Sequence, residues 1–533
     1  MKNKIIALIL AASFIFSAMI IPVSANTVVT DPSEQKLYTV LDKVVDALVG
    51  GIANLIIGPK WEKKADYKAE NFYKGNSFID EPESNAKWKL GYANASLLMG
   101  NEVGGGDFYV GGSLSVSKKL ATAQYDDQKV RTVAISDGRG ITIFSSLDAY
   151  GMALTDVRGI REKFAEVAKQ KGYNITAINI SALHQHCCVD TFGMNGDLFS
   201  ALFTSSFRNL FGLEVPSGQN KEYMDNLYKV VVDSMVKAVE NMEEGKLYYG
   251  SIDASDLIYD KRDPKVYDHN LNRFRFVPDN AESQETWMIN AGIHCVGMGA
   301  AGTVLSGDYP YTMEKYINEH ANANYYYVEG AELAITLETD GIEVDPALVE
   351  KFGDRYATTV AYGNKIGERV CAIDKNAEKE VEPILNIAYK EVFLPINNNI
   401  LKLAAKGGLL LNKVVKDGFD LYVVSEVGYA EFGKDYAVAI VPGELAPEIA
   451  FGGADTAATS WTGEDWKYPS FDEVTGNRKL LVFGLTNDQV GYILTDNNWH
   501  SFFTENEEIV STGSKAGSTM AQAFIDLYKS IDR

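Results

Sequence analysis

Apolar residues recur at helical spacing early in the chain: Leu37, Leu41, Val44, Val45, Leu48, Ile52, Leu55 and Ile56, with Asp42, Lys43 and Asp46 on the other side. The spacing predicts an amphipathic helix over 37–57. Such a stripe suits either packing on the main body or contact with a membrane surface or greasy substrate. Residues 59–82 are polar and aromatic without a clear period and read as a connector. Beyond them, strand and helix patterns alternate. Positions 130–136 and 141–146 flank Asp137-Gly138-Arg139-Gly140 and predict a β-hairpin with a glycine-bearing turn. Residues 158–170 have a helical period that stops at Gly172, and 175–183 form a β-rich run. Val230, Val231, Met235, Val239 and Met242 share one face of a helix expected over 226–242 and closed by Gly245. Further strands are expected at 436–441 and 480–483, with a last helix at 520–531. Interleaving of this kind predicts an α/β or α+β body, one large domain of mixed β-sheets with flanking helices, and no internal repeat interrupts it.

Composition narrows the partners. Of 533 residues, 46% are hydrophobic, enough for a large core, while the net charge of −22 comes without any Lys/Arg-rich run. Nucleic acid is excluded as an expected partner, because phosphate binding needs a basic footprint. Lys2 and Lys4, an apolar run over 5–21 and Val23-Ser24-Ala25 read as an export signal over 1–25, so the expectation is a secreted protein beginning at Asn26. An uncleaved membrane anchor is the alternative. The remaining chain divides into a helix and connector over 26–85 and a main body over 86–533. Four cysteines are too few to staple a chain of this size.

Only six histidines occur, yet His184 and His186 stand two apart at the end of a predicted strand, in Leu183-His184-Gln185-His186-Cys187-Cys188. Alternation sends both rings to the same side. That arrangement suits two metal ligands, or one ligand beside a general base. His294 lies in Ile293-His294-Cys295-Val296-Gly297, an apolar stretch giving way to glycine, and reads as either a core histidine or a ligand. Cys187, Cys188 and Cys295 follow these histidines closely. If the histidines converge, a bridge from Cys295 to one of the pair becomes feasible, with buried free thiols as the alternative.

Four separated segments together resemble the neutral (alkaline, non-lysosomal) ceramidase family. Leu183-His184-Gln185-His186 is similar to that family's Thr-His-Thr-His. The stretch around His294 with Ser306-Gly307-Asp308-Tyr309-Pro310 is similar to its second zinc-histidine segment. Val441-Pro442-Gly443-Glu444 resembles its Pro-Gly-Glu, and Gly484-Leu485-Thr486-Asn487 through Gly491-Tyr492-Ile493 resembles its Gly-Leu-x-Asn and tyrosine segment. The match runs from about Leu90 to the C-terminus in the family's order. It implies a zinc site at strand ends and loops, with Zn2+ held by His184, His294, Glu444 and Tyr492, and with His186 as the catalytic histidine beside it. It further implies an arginine that touches substrate, Arg262 or secondarily Arg273, and leaves Asp308 either orienting a ligand histidine or capping a turn.

Departures bear on the substrate. The family's second tyrosine has no counterpart in Ser501-Phe502-Phe503-Thr504-Glu505-Asn506-Glu507-Glu508, and its Ser-Gly-Pro after the histidine pair is replaced by Cys187-Cys188-Val189-Asp190. The resemblance therefore implies a secreted zinc-dependent amidohydrolase acting on an N-acyl lipid or related small molecule. The rival is a binding or surface protein that keeps the fold without turnover. The N-terminal helix is expected beside the zinc cleft, partly closing its mouth.

Overall fold

The computed structural model describes residues 32–112, 118–196, 204–205, 208–209, 211–213, 215, 217–500 and 510–532. The export-signal reading and the altered segment 501–508 lie outside them.

Eight strands make up most of the larger sheet: β1 (Trp88–Ser96), β2 (Lys129–Ser136), β3 (Ile141–Leu147), β4 (Ile175–Ala182), β5 (Glu243–Asp253), β6 (Asn270–Pro278), β7 (Thr286–Ala291) and β8 (Asn324–Glu329). Their order is β8-β7-β6-β5-β1-β2-β3-β4, with the short strand Lys379–Val381 paired to β5. The end pairs β8/β7 and β3/β4 are parallel and the pairs between them antiparallel. The edge strand β8 also contacts β2, β3 and β4, so the sheet curls towards closure. The second sheet carries β9 (Leu385–Pro395), β10 (Asp420–Phe432), β11 (Tyr436–Ile440) and, after the two-residue β12 (Glu444–Leu445), β13 (Lys479–Phe483). A last short strand, β14 (Tyr492–Ile493), pairs in parallel with β12.

The sheets pack face to face. Val133, Phe144, Leu247, Phe274 and Val328 from the first meet Ile387, Phe432, Val438, Ile440 and Phe483 from the second. Helices cover both outer faces. On the first, α2 (Leu154–Lys171) and α3 (Lys221–Glu240) bury Val157, Ile160, Phe164, Leu227 and Met235 on Val130, Ile143, Ile178 and Ile180. Farther along that sheet, α4 (Asp308–Ala321) and α5 (Asp354–Cys371) pack on Trp287, Ile289, Tyr325 and Tyr327. The second sheet is covered by α7 (Ala516–Lys529), through Met520 and Phe524. This helix–sheet–sheet–helix stacking explains why strands such as Val130-Arg131-Thr132-Val133-Ala134-Ile135 are buried on both faces and do not alternate cleanly with polar residues.

The α/β expectation holds, with local corrections. Helix α3 stops at Glu240 with Asn241 as its cap. Gly245 lies inside β5, where an added Cβ would meet the Val277 carbonyl at 2.3 Å, so the strand crossing and not a helix stop requires glycine. Helix α1 (Pro32–Leu55) docks on α6 (Asn399–Gly407) through Val49 and Ala53 against Ile400 and Leu403, and Asn399 Nδ2 donates to the Asp46 carbonyl. Its apolar stripe is wider than this contact: Val44 is 52% exposed, Leu48 56% and Leu55 72%. The helix therefore packs on the main body over part of its apolar face and leaves the rest open. Among the described residues no helix is long and apolar enough to cross a membrane.

Candidate metal centre

His184 follows the end of β4, and His294 follows the end of β7. Left to the order of the sheet alone, these two strand ends would stand apart. The segment Gly484-Leu485-Thr486-Asn487 joins them. Gly484 N–H donates to the Glu329 carbonyl at the end of β8, the neighbour of β7. Asn487 N–H donates to Ile180, and Ala182 N–H donates to Leu485, both on β4. Gly484 is required here, since a Cβ would lie 2.4 Å from the Gly330 carbonyl. His184, Leu485 and Asn487 all adopt positive φ, the left-handed conformation uncommon for residues with side chains. Such conformations persist where surrounding contacts impose them, and they gather at working sites.

The resulting cluster is tight. His184, His186 and His294 place ring nitrogens within 4.8 Å of one another, and His294, Glu332 and Glu444 form a second such group. His186 Nε2 and His294 Nε2 are 2.8 Å apart. Glu444 spans the pair formed by the other two histidines, with Oε1 3.4 Å from His184 Nε2 and Oε2 3.9 Å from His294 Nδ1. Tyr492 sits opposite Glu444 in the β12/β14 pairing. All four of His184, His186, His294 and Glu444 are buried.

Supporting groups fix the rings. His184 Nδ1–H donates to the Tyr150 carbonyl at 2.7 Å, which leaves the Nε2 lone pair facing Glu444, and the Tyr150 ring stacks on the imidazole. Gln489 Nε2 donates to Glu444 Oε1 at 3.3 Å. Burial pushes the His184 pKa down to about 4 and drives those of His186 and His294 well below the usual range, reinforced for both by the charge of His184 and Lys261. Three neutral imidazoles beside a carboxylate are good ligands for Zn2+ and related ions, so the donor set fits a metal.

Two carboxylates missed in the sequence lie behind the histidines. Glu329 and Glu332 are fully buried, and burial raises both, Glu329 to about 8 and Glu332 well above its ordinary value. No spacing or motif marked them, because Glu329-Gly330-Ala331-Glu332 reads as an ordinary polar loop. Tyr150 and Gln489 were missed for the same reason.

Other sequence candidates stand elsewhere or do other work. Arg273 is fully buried, paired with Glu378 at 2.7 Å and stacked over Trp287, so it is a core residue and does not face a substrate. Arg262 follows the short strand Ile258–Asp260, with its backbone N–H on Asp260 Oδ1, and its charge acts on Glu448 and His500. Its neighbour Lys261, together with Lys119, is the cation felt by His186. The Asp308 carboxylate accepts the backbone N–H groups of Gly297, Met298 and Tyr309, and Cys187 Sγ also donates to it. It therefore orders the loop after His294 in place of holding a ring nitrogen. Cys187, Cys188 and Cys295 are buried free thiols, and Cys295 donates to Glu329 Oε1 at 3.0 Å instead of forming a bridge.

Solved structures share this architecture. A crystal structure of neutral ceramidase from Pseudomonas aeruginosa superposes with a TM-score of 0.62 at 15% identity, covering 84% of this chain and 74% of that one. The chain has the neutral ceramidase fold. A structure described as ceramidase complexed with C2 gives 0.58 at 14% identity, over 83% of this chain and 75% of the other. No family model matches the sequence, and no curated protein matches it either. On the neutral ceramidase fold, the chain assembles a buried histidine and glutamate cluster that could hold a metal ion.

Proposed function

We propose that this chain is a metal-dependent hydrolase that cleaves an amide in an N-acyl lipid or a related acylated compound. The observation that carries the reading is the convergence, from three distant segments, of His184 and His186 with His294 within 4.8 Å of one another and of Glu444 3.4 Å from His184, on a fold shared with solved neutral ceramidases. The reading assigns Zn2+, with His184, His294, Glu444 and Tyr492 as its ligands. Bound there, Zn2+ would lower the pKa of a water towards ~7 and polarise an acyl carbonyl.

The chain's own groups do the rest. Tyr150 holds His184 in the tautomer whose Nε2 is unprotonated, so that ring is ready to bind without first losing a proton. His186 is neutral because of its burial, and its Nδ1 is buried with no hydrogen-bond partner among the described residues. It takes the proton of the attacking water and returns it to the departing amine. Lys261 and Lys119, the cations felt by His186, supply positive charge that favours the developing oxyanion, and the resemblance assigns contact with the substrate to Arg262, the next residue after Lys261. The exposed apolar residues of α1 support contact with lipid, and the leader-like first 25 residues support secretion.

Purified protein, metal-loaded and chelator-treated, should be offered N-acyl lipids, acyl amino acids and esters. Amide cleavage by the loaded form alone supports the reading. Metal binding without turnover on any of the three classes would favour a binding protein on the same fold.

A further inference from the structure

Glu332 is a buried carboxylate without a visible means of support. It is 0% exposed, its carboxyl lies against that of Glu329, and among the described residues no backbone, hydroxyl or cationic donor reaches either of its oxygens. Leaving such a group unsatisfied costs more than an ordinary hydrogen bond returns. Glu329, three residues earlier and equally buried, shows the contrast. Its carboxylate accepts from Cys295 Sγ, Tyr309 Oη, Tyr327 Oη and the Ile293 N–H. The chain thus surrounds Glu329 with protein donors and sets Glu332 between Glu329 and the cluster of His294 and Glu444, where no such donor reaches it among the described residues.

That space is the metal centre. Leu333 N–H donates to the Leu445 carbonyl, which ties the Glu332 segment to the strand bearing Glu444. His294 N–H donates to the Ile335 carbonyl, which ties the same segment to the His294 loop. Glu332 is therefore fixed from both sides, and its oxygen lies within 4.8 Å of ligand atoms of both His294 and Glu444. A carboxylate so placed has an oxygen donor to offer where a divalent cation would sit, and a cation is the partner its oxygens lack.

We propose that Glu332 is a further carboxylate of the metal centre, binding the cation directly beside His294 and Glu444. The inference rests on the metal-hydrolase reading above and adds a ligand to it. Two acidic side chains would then offset the charge of the ion, and Glu332 would add an oxygen donor to those of Glu444 and Tyr492.

Apo protein prepared by chelation should be titrated with Zn2+ against a chromophoric chelator, and with Co2+ while the visible ligand-field absorption is recorded. Wild type, Glu332→Gln, Glu332→Ala and His184→Ala are compared, each first checked for folding by circular dichroism. Glu332→Gln keeps the volume of the side chain and carries the test should the alanine variant not fold. The expected result is at least about tenfold weaker Zn2+ binding in the Glu332 variants, with an altered Co2+ spectrum. Unchanged affinity and spectrum in Glu332→Gln would overturn the inference and mark Glu332 as a protonated acid that a glutamine can replace. If that result comes while His184→Ala loses Zn2+, only the role of Glu332 fails. If wild type takes up no Zn2+, the metal-centre reading fails and this inference with it.

Discussion

The side chain of Gln185, between the two histidines of the loop, donates to Asp148 Oδ1 at 2.9 Å and to the Gly307 carbonyl at 2.8 Å. The same Asp148 oxygen accepts from Arg131 Nη1 at 2.8 Å, and Arg131 also pairs with Glu314. The loop that presents His184 and His186 is thus anchored to a buried ion-pair network outside the centre. Gln185→Leu removes the amide at nearly constant volume. The expected outcome is about tenfold weaker metal binding in a folded protein, measured by chelator competition. Unchanged affinity would show that the loop holds its shape without Gln185.

The proposed ligands and the proposed base should separate by metal content. His184→Ala, His294→Ala and Glu444→Ala should each lower bound Zn2+ by about tenfold or more at equal protein concentration, by elemental analysis after dialysis. His186→Ala should retain the metal and lose hydrolysis, by about 100-fold or more. Loss of metal in His186→Ala would instead place that ring among the ligands, an arrangement its 2.8 Å approach to His294 also permits.

How much of this was legible follows from what each residue does locally. The hairpin before and after Asp137, the helix stopping at Gly172 and the strand leading to His184 are set by periodicity and turn residues, and all are present. His184 and His186 stood out because a strand end shows two rings to one side. Glu332 and Gln489 could not stand out, since what distinguishes them is burial imposed by segments far away in sequence. Arg273 misled for the reverse reason: an arginine near the expected position looks the same whether it faces a substrate or, as here, Glu378 and Trp287. The width of the α1 stripe was readable, but the extent to which α6 covers it was not.

Stability should depend on pH through Asp488. Its Oδ1 accepts from Leu154 N–H and Asn412 Nδ2, yet burial lifts the carboxyl to about 7. In the unfolded chain an aspartate titrates near ~3.9, so between the two values the unfolded state has released its proton and the native state keeps it. The contribution is therefore full below about pH 4, declines as pH rises to about 7 and is level above that. Asp488→Asn removes the decline. Urea unfolding at pH 4.5 and pH 8 should show the variant gaining on wild type at the higher pH, by about 3 kcal/mol. An identical difference at both pH values would exclude the linkage.

The apolar face left open on α1 should bind lipid. Val44→Asp combined with Leu48→Asp is expected to weaken co-sedimentation with phosphatidylcholine vesicles about tenfold, because two exposed apolar side chains are replaced by charges. Metal content should not change. Equal sedimentation of variant and wild type would remove this face from consideration as a lipid contact.

Denatured, unreduced protein should titrate four thiols, one for each cysteine. In the native state Cys187, Cys188 and Cys295 should react slowly, since burial pushes all three thiols well above their ordinary range and keeps reagents out. A count of two would reveal a bridge.

The stitch made by residues 484–487 also sets the order in which the molecule can be completed. The hydrogen bond between the Asn487 side chain and Ile180 closes a loop of 307 residues, and β14, which carries Tyr492 and pairs with β12, follows that segment in the chain. A chain made from its N-terminus has both sheets nearly finished before this segment arrives. The two histidine loops meet directly, His186 N–H donating to the Cys295 carbonyl, but Glu444 and Tyr492 come only late in the chain, so an early fragment lacks part of the donor set. Such long-range closure is slow. Any cation held by the full donor set would thereby depend on completion of the chain past Tyr492.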